Sequence, residues 1–150
     1  MTTMIPFAEL PEYVGKDLGY TDWFEITQDR VNLFADAADD HQWIHVDPVR
    51  AADGPFGAPI AHGFLTLSLL IPLQTALFDI EGASTKVNYG LDKVRFVSPV
   101  PVGSKVRLTA TIAEVLEVPG GLQAVIDVVI ELEGGTKPAV VARSLQRFYA

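Results

Sequence analysis

An acid and a base stand five residues apart in the segment Ala38-Asp39-Asp40-His41-Gln42-Trp43-Ile44-His45: Asp40 and His45. A carboxylate and an imidazole beside the apolar Trp43 and Ile44 can hold one water molecule and move its protons. Seventeen residues beyond His45 comes His62, in Ala61-His62-Gly63. This triplet opens a long apolar stretch whose helical form leaves its first amides without partners inside the helix. Such a helix start accepts negative charge, and Gly63, lacking a side chain, lets a reacting carbonyl approach its amide. The chemistry these residues suit is proton transfer to and from water while charge develops on a nearby oxygen. The alternative is structural: Asp40 ends a helix and His45 caps the next segment. On residue types and spacing alone the two readings stand level. His62 itself reads as a structural histidine at a helix start.

The elements that must position these residues follow from local pattern. Pro6 to Gly15 is a lead-in in which Pro6 and Pro11 limit helix length. Gly19 to Ile26, with Tyr20, Trp23, Phe24 and Ile26, predicts a first strand. Thr27 is a good N-cap, Asp29 favours the first turn, and Val31, Phe34, Ala35 and Ala38 recur on one helical face. A helix over about Gln28 to Ala38, stopping near Asp39, is expected, with a short turn carrying Trp43 and Ile44. Asp47 and Pro48 open a short helix over Val49 to Ala52. The breaker-rich run Asp53 to Pro59 is either a substrate-facing flap or a plain connector.

Gly63 to Phe78 is apolar on most sides and predicts a buried helix, kinked where Pro72 withholds a donor from the carbonyl of Ser68. From Thr85 the period changes to two. Lys86 to Tyr89 and Leu91 to Val97 flank Gly90 as an interrupted strand, and three more alternating strands follow, ending with Ala139 to Tyr149. One apolar helix and a meander of about four antiparallel strands predict an α+β fold, a curved sheet wrapped around that helix.

A chain of 150 residues suits one domain, residues 1–150, without repeats or linkers. The net charge of −8 argues against a nucleic-acid footprint, though eleven Lys and Arg can still cluster locally around a small anion. The absence of cysteine removes disulfides, zinc–thiolate sites and cysteine nucleophiles. Neither a leader pattern nor an apolar run of membrane-spanning length occurs, and a soluble, cytoplasmic protein is expected.

With these residues in view, the chain resembles the MaoC-like hot-dog family, and within it the single-domain (R)-specific enoyl-CoA hydratases. Asp40, Ile44, His45 and Ala51 fit the hydratase motif, whereas Gln42 and Trp43 stand where the motif has Asn and Pro, and Asp39 where Gly is common. Pro59-Ile60-Ala61-His62-Gly63 fits a second signature, and Val94 to Gly103 a strand-and-turn segment. The resemblance implies a hot-dog fold, a homodimer, a coenzyme A thioester substrate, and reversible addition of water to a trans-2-enoyl thioester giving the (3R)-hydroxyacyl product. It makes Asp40 and His45 the catalytic pair and the Gly63 amide the oxyanion donor, with no cofactor and no metal.

Two rivals use the same pocket: a hot-dog thioesterase, directing water at the carbonyl carbon, and a non-catalytic acyl-CoA-binding protein, which has no use for the acid–base pair. A metal site on His41 and His45, four residues apart with Asp39, Asp40 and Asp47 nearby, needs a helix that the stop at Asp39 denies. His41 is then a solvated turn residue. Arg50, Lys86, Lys93, Arg95 and Arg107 are either partners for coenzyme A phosphates or ordinary solvated surface.

Overall fold

The alternating second half of the chain supplies a sheet, and the apolar stretch after Gly63 supplies what it wraps. The structure, a computed structural model, describes residues 1–150. In chain order the elements are β1 (Thr3–Pro6), a 3₁₀ helix (Phe7–Tyr13), β2 (Phe24–Glu25), α1 (Gln28–Ala38), α2 (Trp43–Val46) and α3 (Pro48–Ala52). Then come α4 (Gly63–Ser68), α5 (Leu70–Leu77), β3 (Phe78–Glu81), β4 (Thr85–Phe96), β5 (Lys105–Val118), β6 (Gly121–Leu132) and β7 (Val140–Tyr149).

The main sheet has the order β2-β5-β6-β7-β4, antiparallel throughout. The expected meander therefore holds for β5, β6 and β7 only. The turn after β4 carries the chain past Ile26 and Pro59, with Gly103 N–H donating to Ile26 and Val102 N–H to Pro59, and delivers β5 beside β2. β4 is left at the opposite edge, paired to β7 alone, with register shifts between Asn88 and Gly90 and between Leu91 and Lys93. The interruption expected around Gly90 is thus present.

The first strand is shorter than its composition predicts. Thr21 Oγ1 accepts the N–H of Leu108 at 3.0 Å and donates to the Asp22 carbonyl at 2.9 Å, so a side chain displaces part of the ladder. Only a bridge at Tyr20 and the two residues of β2 remain paired to β5. A second departure is the parallel pair β1–β3, Thr3 opposite Phe78 and Ile5 opposite Ile80, formed just before the expected lead-in and at the expected helix end.

One core of 25 buried side chains joins the layers. Leu65, Leu69, Leu70, Leu73 and Leu77 of the α4–α5 rod meet Val106, Leu108, Ile112, Ile126 and Ile130 from the concave sheet face. Each such side chain contributes about 1.5–3 kcal/mol on burial. The rod breaks at Leu69, whose N–H is shared between the carbonyls of Leu65 and Thr66, both at 3.2 Å. Pro72 offers no N–H to Ser68, so the predicted kink falls one turn before the proline. The rod is not buried on all sides: Phe64 is 69% exposed, and Val87, Tyr89, Leu91 and Phe96 of β4 are exposed as well. No helix is long and apolar enough to cross a membrane.

Candidate active site

α1 ends by a local device. Thr27 accepts from the Arg30 N–H at 3.2 Å at its start, and at its end Asp39 takes a left-handed conformation, φ 56°. Asp is among the few side chains that tolerate this region. The reversal lets Asp40 N–H donate back to Ala35 at 3.0 Å, and the exposed Asp40 carboxylate accepts from Gln42 N–H at 3.4 Å. The expected turn at Trp43 and Ile44 is one turn of helix, α2, which sends His45 inward to 7% exposure. Asp47 then caps α3, accepting from Arg50 N–H at 3.1 Å, with Pro48 in its first turn.

Four consecutive residues, Ile60 to Gly63, gather the site. Ile60 N–H donates to Ile44 at 3.0 Å and Ala61 N–H to Val100 at 2.8 Å, which stitches the segment between α2 and the turn before β5. The Ile60 carbonyl faces His45 Nδ1 at 2.6 Å, and the Asp40 carbonyl faces His62 Nε2 at 3.0 Å. A carbonyl only accepts, so each of these ring nitrogens carries the proton. The imidazoles of His45 and His62 stack with centroids 3.9 Å apart and planes 25° apart, and Phe34 of α1 borders His62 at 4.9 Å. From α1, Gln28 Nε2 donates to the His45 carbonyl at 2.9 Å.

These bonds set the state of His45. With Nδ1–H given to Ile60, the neutral ring keeps Nε2 as a bare acceptor, the form a general base needs. Burial holds the imidazole below its ordinary 6.5; the Ile60 bond opposes this, His62 adds to it, and the Asp40 carboxylate opposes it. The ring is therefore neutral, and basic, at neutral pH. A carboxylate oxygen of Asp40 and one ring nitrogen each of His45 and His62 lie within 4.8 Å of one another. Nδ1 of His45 and Nε2 of His62 are both engaged by backbone carbonyls, which leaves one ring nitrogen of each beside the Asp40 carboxylate, an arrangement suited to proton transfer. His41 lies apart from it, exposed, with Nε2 on Asp36 at 2.8 Å; it does not join His45.

The amide of Gly63, first residue of α4, has no acceptor within the chain, and no side chain caps it. Beside it opens a cavity of about 270 Å³ lined by Ile60, Gly63, Thr66, Phe96, Ser98 and Val140 among others. A Cβ on Gly63 would stand 3.0 Å from the Phe96 ring. The absent side chain is thus what keeps ring and amide close together at the cavity wall.

The loop after α3 is pinned at its start: the Trp43 ring lies under the Arg50 guanidinium at 4.3 Å, and a Cβ on Gly54 would meet that ring at 2.8 Å. Lys86 pairs with Asp79, and Arg107 pairs with Glu131 while lying over Tyr20 and Trp23. Both cations are committed inside the chain. Gln28 is a participant that motif reading does not show, and His62, carried by the second signature, reads there as structural only. The helical face of α1 points Gln28 at His45, and only the fold shows His62 touching both members of the pair.

A curved antiparallel sheet around a central helix, with a carboxylate, an imidazole and a free helix-start amide at one end, defines the hot-dog architecture of a hydratase-like class. The family model of the MaoC like domain matches residues 9–131. The chain belongs to that family. It is 52% identical over 151 aligned positions, covering all of both chains, to a 3-hydroxyacyl-thioester dehydratase Z of Mycobacterium tuberculosis. It also resembles the solved (R)-hydratase from A. caviae involved in PHA biosynthesis, at 26% identity and TM-score 0.71, over 89% of this chain and 94% of that one. An unliganded R-hydratase from Pseudomonas aeruginosa shares the fold at TM-score 0.77 and 24% identity, over 97% of this chain and 86% of that one.

Proposed function

We propose that the chain is an (R)-specific enoyl-CoA hydratase, or in the reverse direction a 3-hydroxyacyl-CoA dehydratase, working as one domain over residues 1–150. The observation that carries this reading is the cluster of Asp40, His45 and His62, within 4.8 Å, and next to His62 in the chain the Gly63 amide, free at the wall of a cavity. The full-length relative named a 3-hydroxyacyl-thioester dehydratase supports the choice of substrate class.

In the hydration direction Asp40 and His45 hold one water. Its oxygen bonds to the β-carbon as the carbon–carbon π bond opens, and the proton it loses passes to the pair. A proton from the pair goes to the α-carbon, so the sum is one water added. The charge that builds on the thioester oxygen meets the Gly63 N–H at the positive end of α4. The (3R) product and coenzyme A as carrier rest on the family likeness. Residence in the cytoplasm is part of the same proposal.

We further propose a homodimer. β4 is an edge strand with one unpaired side and exposed Val87, Tyr89, Leu91 and Phe96, and such an edge pairs readily with a second copy. A thioesterase reading uses the same grip on the thioester and the same acid–base pair, with water aimed at the carbonyl carbon; the relative named a dehydratase favours the hydratase. A non-catalytic acyl-CoA binder leaves that pair without a use. Purified protein incubated with a short and a medium trans-2-enoyl-CoA is expected to remove the enoyl absorbance without freeing thiol. Thiol release that keeps pace with substrate loss would make it a thioesterase, and no turnover of either chain length would leave only the binder.

A further inference from the structure

His62 is the buried titratable group that the proposed chemistry leaves idle. It is 2% exposed at the N-cap of α4, yet its side chain caps nothing. Its Nδ1 has no hydrogen-bond partner, although a buried polar atom normally finds one. Capping and self-satisfaction therefore do not explain the residue. Its polar bond and its close stacking contact go to the two members of the candidate pair: Nε2–H to the Asp40 carbonyl at 3.0 Å, and the ring face to His45 at 3.9 Å.

We propose that His62 is the positioning residue of this site, bracing the His45 ring with its own and fixing the Asp40 main chain with its Nε2–H. This rests on the assignment of Asp40 and His45 given above. Each contact adds a constraint on one member of the pair. The bond from His45 Nδ1 to Ile60 ties one ring nitrogen to the backbone and leaves the ring face to its neighbours. The His62 ring, stacked at 3.9 Å and 25°, bears on that face and limits its tilt. Asp40 follows a left-handed residue at an exposed helix end, where only its own N–H and a 3.4 Å contact from Gln42 otherwise hold it. Fixing its carbonyl fixes where its carboxylate starts. Misplacement of a reacting group by about 1 Å costs on the order of a hundredfold in rate.

The titratable groups facing His45 are His62 and Asp40. α1 presents the neutral Gln28, and Arg50 of α3 is turned onto Trp43. The two contacts separate by substitution. His62→Phe keeps a flat ring and loses the bond to Asp40; His62→Gln keeps a donor near Nε2 and loses the ring. Each variant is expected to fold and to lose roughly ten- to a hundredfold in kcat with KM little changed. In His62→Gln the titration of the His45 ring, followed by NMR, and the acid limb of kcat/KM should move to higher pH together, because the ring loses cover and an adjacent imidazole. Wild-type kcat in both folded variants with an unmoved His45 titration overturns the proposal. The wild-type protein gives a check that needs no variant: ring nitrogen shifts must show the proton of His62 on Nε2, and a proton on Nδ1 overturns the assignment as well. Absence of hydratase activity in the wild type would count against the proposed function alone, since both NMR readings stand without substrate.

Discussion

Asp40→Asn keeps the shape of the side chain but loses the carboxylate's basicity; His45→Gln keeps hydrogen bonding but takes no proton near neutral pH. Each is expected to lower kcat by about 10²–10⁴-fold, the range for losing general acid–base help, with thioester binding little changed. Residues acting on one water act as a unit, so the double variant should be hardly slower than the slower single one. Steady-state kinetics on variants whose circular dichroism matches wild type checks this. The same imidazole sets a pH dependence. Burial lowers its folded pKa beneath 6.5, so kcat/KM should hold as pH falls through 6.5 and decline only below it. Stability moves with the same sign. Below 6.5 the unfolded chain takes the proton before the folded one does, and this contribution, complete above 6.5, is lost as pH falls toward the folded value. Denaturant midpoints measured across that range should drop on the acid side; a midpoint that rises there would contradict the burial of His45.

At the scale of elements, the turn into α4 is the part most sensitive to a single methyl group. Gly63→Ala places a Cβ 3.0 Å from the Phe96 ring. Phe96 is 48% exposed and able to swing, so the melting temperature should change little. The displaced ring lines the cavity, however, so kcat/KM should fall, and Phe96→Leu in the same chain should recover part of the loss. Unaltered kcat/KM in Gly63→Ala would remove Gly63 from the site. Thr27→Ala should cost about 1 kcal/mol in urea titration, through the lost N-cap of α1. What the sequence foretold here is what local chemistry decides: α1 from Thr27, Asp29 and one helical face, the start of α3 from Asp47 and Pro48, the broken rod from Pro72, and the strands from alternation. It was silent where a partner far along the chain decides. Four-residue β1 and β3 read as strands only once Thr3 stands opposite Phe78, and β2 shrinks because Thr21 bonds to Leu108. Asp40, His45 and Gly63 were legible as a candidate site because two motifs carry them. The role of His62 was not, since its contacts depend on how the Ile60–Gly63 segment folds back over α2.

At the scale of the molecule, the sheet has one edge strand of twelve residues, β4, with exposed apolar side chains and no covering element. Light scattering at micromolar concentration should give twice the 16.3 kDa of the chain. Leu91→Asp, which sets a charge on that edge, should shift the mass toward a monomer. A monomeric wild type would contradict the dimer. The wider claim is that the curved sheet, its central rod and the Ile60–Gly63 segment together hold a water against an acid–base pair, beside an amide that accepts negative charge. Its most direct test follows enoyl absorbance and free thiol together in one reaction of wild-type protein with trans-2-enoyl-CoA. The account predicts that absorbance disappears to an equilibrium while thiol stays at background, and that 3-hydroxyacyl-CoA added alone restores absorbance from the other side. Thiol rising in step with the loss of absorbance would contradict it.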